Sequence, residues 1–185
     1  MNQTSRTKAN SHSPEQQLML QMKAMAVRYL SYRPGATSGQ VRRYLMQKSE
    51  REDLIIRVVN HLCRRGFIDD AEAAQSIISG RCRTRAESHQ ALYHRLLRLG
   101  IEPTVAKMAI QTHAEDERTL AIDYLKYKQA NLVQSIQLLQ NENLMDRATT
   151  LEIEKRKAKI FRSAKQRGFS YTTIQEALHD VLHED

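Results

Sequence analysis

The chain has 185 residues, with 29 Lys and Arg against 21 Asp and Glu, a formal net charge of +8, no Trp and two Cys. That length allows a buried core or several small stacked units. No apolar run approaches the ~18 residues that span a bilayer, and the two cysteines, Cys63 and Cys82, suit free thiols in a reducing cytoplasm rather than a disulfide framework.

In chain order, residues 1–15 read as a disordered polar tail without the apolar segment of a secretory signal. Ser13-Pro14-Glu15-Gln16 has the pattern of a helix start, with a capping serine, a proline in the first turn and a glutamine three residues on. The helix it opens is predicted to reach about Tyr32, before Pro34. Gly35 to Gly39 is predicted as a loop and Gly39 to Lys48 as a short second helix. Ser49-Glu50-Arg51-Glu52 has the form of another capping box, ahead of a helix that lines up Ile55, Val58, Val59 and Leu62 on one face.

The joint that follows, Arg64-Arg65-Gly66-Phe67-Ile68-Asp69-Asp70, could be a metal site, a phosphate grip or helix punctuation. Punctuation accounts for each residue. A glycine just past the helix takes the left-handed conformation cheaply, and the apolar residue after it folds back on the last turn. The arginines face the negative end of the helix dipole. Asp69 can cap the next helix with Glu72 as its capping partner. A carboxylate metal site at Asp69, Asp70 and Glu72 lacks the further ligands that a hard cation requires.

The joint recurs at Arg98-Leu99-Gly100-Ile101, with Pro103 near a helix start, and at Arg167-Gly168-Phe169-Ser170. The glycines are 34 and 68 residues apart, but the Trp and Tyr pattern of a tetratricopeptide repeat is missing. A three-helix unit fits better. The predicted fold is all-α, with three tandem three-helix repeats over 16–68, 69–114 and 115–185, stacked in an elongated array because each is too small to bury its apolar faces alone. In the third repeat the helices are predicted at 116–129, at 150–167 and around Ile174, Ala177, Leu178 and Val181. Residues 129–150 are irregular, and either a helix or a long loop is compatible with them.

Charge is unevenly spread. Residues 26–113 carry 15 Lys and Arg against 8 Asp and Glu, a balance of +7, whereas residues 114–185 carry 11 against 12, a balance of −1. Within the latter, Lys155 to Arg167 holds seven cations and no acid. A basic surface of this kind favours a polyanion or an acidic protein.

Several stretches resemble the RecX family, regulatory proteins of the RecA recombinase. They are "AVRYLSYRPGATSGQVRRYLMQK" (26–48), "RGFIDDAEAAQSIISGR" (65–81), "ALYHRLLRLGIEPTVAKMAI" (91–110) and "KIFRSAKQRGFSYTTIQEAL" (159–178). The order and spacing of these elements carry the resemblance, over about residues 24–183. Thr84 to Ser88 stands where the family has a glycine-bearing loop. The resemblance implies three tandem three-helix repeats, curved, with a basic inner surface. It implies binding in the groove of the RecA–DNA filament, limiting filament growth, ATP hydrolysis and strand exchange; the protein is expected to be cytoplasmic and monomeric. Its partners would be the RecA filament and single- or double-stranded DNA, bound weakly and in a salt-dependent way, with no membrane and no cofactor. The alternative is a basic helical nucleic-acid-binding protein without a recombinase partner.

The candidate partner- or nucleic-acid-binding residues are the arginines near the joints: Arg64, Arg65, Arg81, Arg83, Arg85, Arg95 and Arg98, then Arg33, Arg42 and Arg43. Guanidinium groups pair bidentately with phosphate or carboxylate, so DNA or an acidic protein loop could be the counterpart. Tyr29, Tyr32 and Tyr44 lie among cations, where core packing and base stacking are both open to them. His61 and Cys63 have no paired-ligand spacing for zinc. No Gly-rich phosphate loop, nucleophile elbow or HExxH motif is present, and no catalytic residue is predicted.

Overall fold

The structure is a computed structural model and describes residues 13–141 and 146–183. Among these residues it is all-helical, with ten α-helices, one 3₁₀ turn and no strand. The chain divides into two compact units, one ending at Asp69 and the other beginning at Asp70.

The first unit holds α1 (Pro14–Tyr32), α2 (Ser38–Met46) and α3 (Glu52–Arg64). Ser13 caps α1 in the expected box with Gln16. Ser13 to Glu15 therefore belong to the helix start, and the rest of the predicted tail lies outside the described residues. α2 begins earlier than predicted. The Thr37 side chain accepts from the Gln40 N–H while the Gln40 side chain accepts from the Thr37 N–H. Gly39 consequently lies inside the first turn, where the box outweighs the cost of a glycine. The expected box at Ser49 is not formed: α3 starts at Glu52, and Ser49 Oγ accepts instead from the Arg51 N–H at 3.2 Å. The predicted face of α3 is buried, with Leu54 added, against Met22 and Ala26 of α1 and Val41 and Leu45 of α2.

The second unit holds α4 (Asp70–Ser79), the 3₁₀ turn Arg83–Arg85, α5 (His89–Leu99), α6 (Pro103–His113), α7 (Glu117–Lys128), α8 (Ala130–Asn141), α9 (Arg147–Lys165) and α10 (Tyr171–His183). Asp69 directly precedes α4, and Pro103 is the first residue of α6. Residues 130–141, left open by the sequence, are helix α8, so among its described residues the segment predicted as the third repeat contains four helices, and residues 142–145 of the open stretch lie outside the described residues. Buried residues form two clusters here. One is built on Ala74, Ile78, Leu92, Leu96 and Ala106, the other on Leu120, Tyr124, Ile136, Ile160, Phe169 and Ile174. Ala86, which follows the turn, belongs to the latter, so the exposed turn Arg83–Arg85 is held beside α7.

All three predicted joint glycines are left-handed, with φ of 72° at Gly66, 85° at Gly100 and 88° at Gly168. At the first, the Phe67 N–H reaches back to the Leu62 carbonyl at 3.0 Å and the Gly66 N–H to Cys63 at 3.0 Å. That pair of bonds satisfies the last carbonyls of α3. One detail differs. Phe67 is 58% exposed, and Ile68 takes the buried place expected of it.

Candidate partner and nucleic-acid interface

The most built arrangement in the second unit grows from one carboxylate. Glu87 is the only acid between Glu72 and Glu102. It precedes Ser88, the N-cap of α5, and is 5% exposed. A buried carboxylate must be paired, and three arginines surround this one. Arg95, two turns on in α5, donates from Nε to Glu87 Oε2 at 2.9 Å and from Nη2 to Oε1. Arg81 and Arg167 stand off, with Nη1 at 3.6 and 3.7 Å from Oε1. The Arg167 guanidinium also lies 5.6 Å from the centroid of the Tyr124 ring.

Burial alone would raise the Glu87 carboxyl. The Arg95 hydrogen bonds and the charges of Arg95, Arg81 and Arg167 outweigh it and hold the group below its ordinary value of 4.5. Two of these three arginines respond in opposite directions. Arg95 is raised by its bonds to Glu87, whereas Arg81 is lowered, first by desolvation and then by repulsion from Arg95. Arg95 therefore takes most of the carboxylate, and the cluster keeps an excess of positive charge.

That excess opens into a groove lined by Glu87, His94, Arg95, Arg98, Lys165 and Arg167. Of the predicted arginines, the structure brings Arg81, Arg95 and Arg98 into this neighbourhood. Arg85 is exposed and close enough to influence Arg81. Arg83 is turned elsewhere: its left-handed backbone, φ 53°, sets the guanidinium 5.3 Å from the Tyr127 ring centroid. In the first unit Arg64 and Arg65 are exposed beside His61, whose pKa is lowered first by desolvation and then by Lys23, Arg65 and Arg64. Arg33 caps α1 and lies over Tyr29, while Arg42 and Arg43 are exposed on α2.

Sequence reasoning missed Glu87 and the part that Arg167 and Lys165 play beside it. A signal was available, since a lone acid among five arginines between residues 81 and 98 marks their common partner. Among the described residues, no three His, Cys, Asp or Glu side chains are placed to hold a metal, and no helix is long and apolar enough to cross a membrane.

Fold and site together define a helical protein with a basic groove organised on a buried carboxylate. The chain is similar in sequence to regulatory proteins named RecX and similar in fold to RecX crystal structures. It is 25% identical over 160 residues to regulatory protein RecX of Staphylococcus carnosus and 24% identical over 162 residues to that of Lactococcus lactis, covering 86% and 87% of this chain and 54% and 55% of the relatives. It thus spans about half the length of the curated relatives it matches. The crystal structure of RecX from Lactobacillus salivarius superposes with a TM-score of 0.62 at 21% identity, covering 88% of this chain and 96% of that one. A second structure, of regulatory protein RecX, gives 0.64 at 16% identity, covering 92% and 81%. No protein-family model matches the chain. These relatives are named regulatory proteins.

Proposed function

We propose that this chain regulates a RecA recombinase. It binds the groove of the RecA–DNA filament and limits filament growth, ATP hydrolysis and strand exchange, with the segments 16–68, 69–114 and 115–185 acting as successive repeats. The observation that carries the reading is the relationship to the RecX regulatory proteins across most of this chain. The basic groove adds a physical means. Four cations line it against one carboxylate, and that carboxylate is already occupied by Arg95. Arg98, Lys165 and Arg167 line the same groove, where guanidinium and ammonium groups suit a phosphate or an acidic loop of the filament.

The test is DNA-dependent ATP hydrolysis by RecA with and without substoichiometric amounts of this protein. Inhibition is expected, and no effect would discard the recombinase reading. A second comparison asks where the charge matters. Arg98→Ala with Lys165→Ala removes two cations that line the groove and leaves the bonds to Glu87 in place. Lys155→Ala with Lys159→Ala removes two exposed cations of α9. The first pair is expected to weaken inhibition more. Equal losses would reduce the interaction to non-specific polyanion attraction, which depends on the number of charges and not on their place.

A further inference from the structure

The first unit carries a second surface, of different chemistry. Tyr29, in the last turn of α1, and Tyr44, on α2, stack with ring centroids 4.6 Å apart and planes 20° from parallel. Each packs against the unit's core on one side. Both remain half-buried and line an open groove with Arg33, Gln40, Arg43 and Gln47. The Arg33 guanidinium lies 5.5 Å from the Tyr29 centroid.

Two features set this groove apart from ordinary packing. A tyrosine spent on the core looks like Tyr124, which is buried with its hydroxyl bonded to Ser163 at 2.7 Å. Tyr29 and Tyr44 instead present an aromatic pair to the solvent. The second feature is charge. From Arg28 to Lys48 the chain carries five cations and no acid, and two of them, Arg33 and Arg43, line the groove beside the rings.

We propose that this groove is a single-stranded nucleic-acid site, in which an unpaired base stacks against the Tyr29–Tyr44 pair while Arg33 and Arg43 hold the flanking phosphates. Aromatic faces next to guanidinium groups suit a strand whose bases are free to splay out. A duplex keeps its base faces inside the stack and can use only the cations. The Gln47 amide offers a donor and an acceptor to a base edge. The Gln40 carbonyl oxygen is committed to capping α2, so that residue contributes its NH₂ group alone. The site rests on the nucleic-acid part of the function proposed above and not on the recombinase part. Its test uses DNA without RecA, so the two can fail separately.

The experiment is fluorescence anisotropy of the full chain with a labelled oligothymidylate, across a salt series. Three other ligands are run in parallel: a duplex of mixed sequence, a strand of equal length bearing abasic sites, and poly-glutamate as an acidic-peptide probe. The abasic strand keeps every phosphate and loses the bases, so it tests stacking on the unaltered protein. We expect it to bind about tenfold more weakly than the intact strand, the size of one lost base–aromatic stack. Tyr44→Leu should weaken the intact strand by a similar factor, spare the duplex and leave the salt slope unchanged, while Tyr44→Phe retains binding. Arg33→Ala with Arg43→Ala should lower that slope by about 0.7 for each phosphate that is no longer neutralised. Equal binding of intact and abasic strands, an equal effect of Tyr44→Leu on strand and duplex, or poly-glutamate binding as tightly as the strand would each overturn the site.

Discussion

The tripeptide Arg-Gly-Phe occurs twice, at 65–67 and at 167–169, and both copies end a helix with glycine in the left-handed conformation. There the likeness stops. At the first, a methyl group added to Gly66 would meet nothing within 4 Å, Arg65 is exposed and Phe67 is 58% exposed. At the second, Phe169 is 1% exposed and lies 6.2 Å from the Tyr124 ring, centroid to centroid. The Arg167 carbonyl accepts from the Ser88 N–H at 3.0 Å, its guanidinium faces Glu87, and Gly168 lies against Ser88. Identical local chemistry makes a free turn in one place and a fastening in the other. The difference comes from Glu87 and Ser88, about eighty residues earlier in the chain.

The sharpest way to break the comparison is to truncate each phenylalanine. Phe169→Ala should cost about 4 kcal/mol, the usual range for emptying a buried aromatic site. Phe67→Ala should stay within about 0.5 kcal/mol, as surface changes do. Urea unfolding followed by circular dichroism measures both, and similar midpoints for the two variants would refute the contrast. Next in size is the counter-charge. Glu87→Gln leaves Arg81, Arg95 and Arg167 facing one another without a carboxylate. About 2 to 3 kcal/mol should be lost, less than for a fully buried pair because the arginines are partly solvated.

The glycines give a smaller and more local contrast. Gly66→Ala pays only for a β-carbon in the left-handed region, about 1 kcal/mol. At Gly168 the added carbon would also fall 2.4 Å from Ser88 Oγ and 3.0 Å from Ala91 Cβ. Both neighbours have little room to yield, since Ser88 is fully buried and its hydroxyl caps α5 through the Ala91 N–H. Gly168→Ala should therefore cost about 2 kcal/mol or more, the overpacking term added to the conformational one. Equal midpoint shifts would show that Ser88 gives way freely.

These pairs also show what was legible in the sequence. Helix punctuation is local: a glycine, the apolar residue after it and the periodicity before it announce a stop, so the left-handed joints and the buried face of α3 could be read directly. Gln40 and Thr37 were legible in principle, but Gly39 between them looked like a loop residue. The site was legible only in part. Arginine-rich joints suggested cations facing a partner; of these, Arg85 is exposed at the end of the 3₁₀ turn and Arg98 lines the groove. Arg81 and Arg95 are instead gathered by Glu87, and Arg83 by Tyr127. Which arginines turn inward is settled by a buried acid and by where α9 ends, and neither follows from spacing along the chain.

The smallest expected effect is a titration. Because Glu87 is held below its ordinary value of 4.5 in the folded chain, its contribution to stability is complete above that value. It is lost as the pH falls through the lower folded value. Glu87→Gln removes the charge at every pH, so the variant resembles the wild type in which Glu87 has been protonated. The stability gap between the two should be widest at pH 7, begin to narrow below about pH 4.5 and close as Glu87 takes up its proton. Asp53, Asp146 and Asp180 are also depressed, by Arg51, by the N–H groups that open α9 and by Arg118. They titrate in both proteins, so acid weakening from them cancels in the difference. Urea midpoints for wild type and variant between about pH 7 and pH 3 provide the measurement. A gap that stays constant down to about pH 3 would mean that the negative charge of Glu87 is not what holds Arg81, Arg95 and Arg167 together.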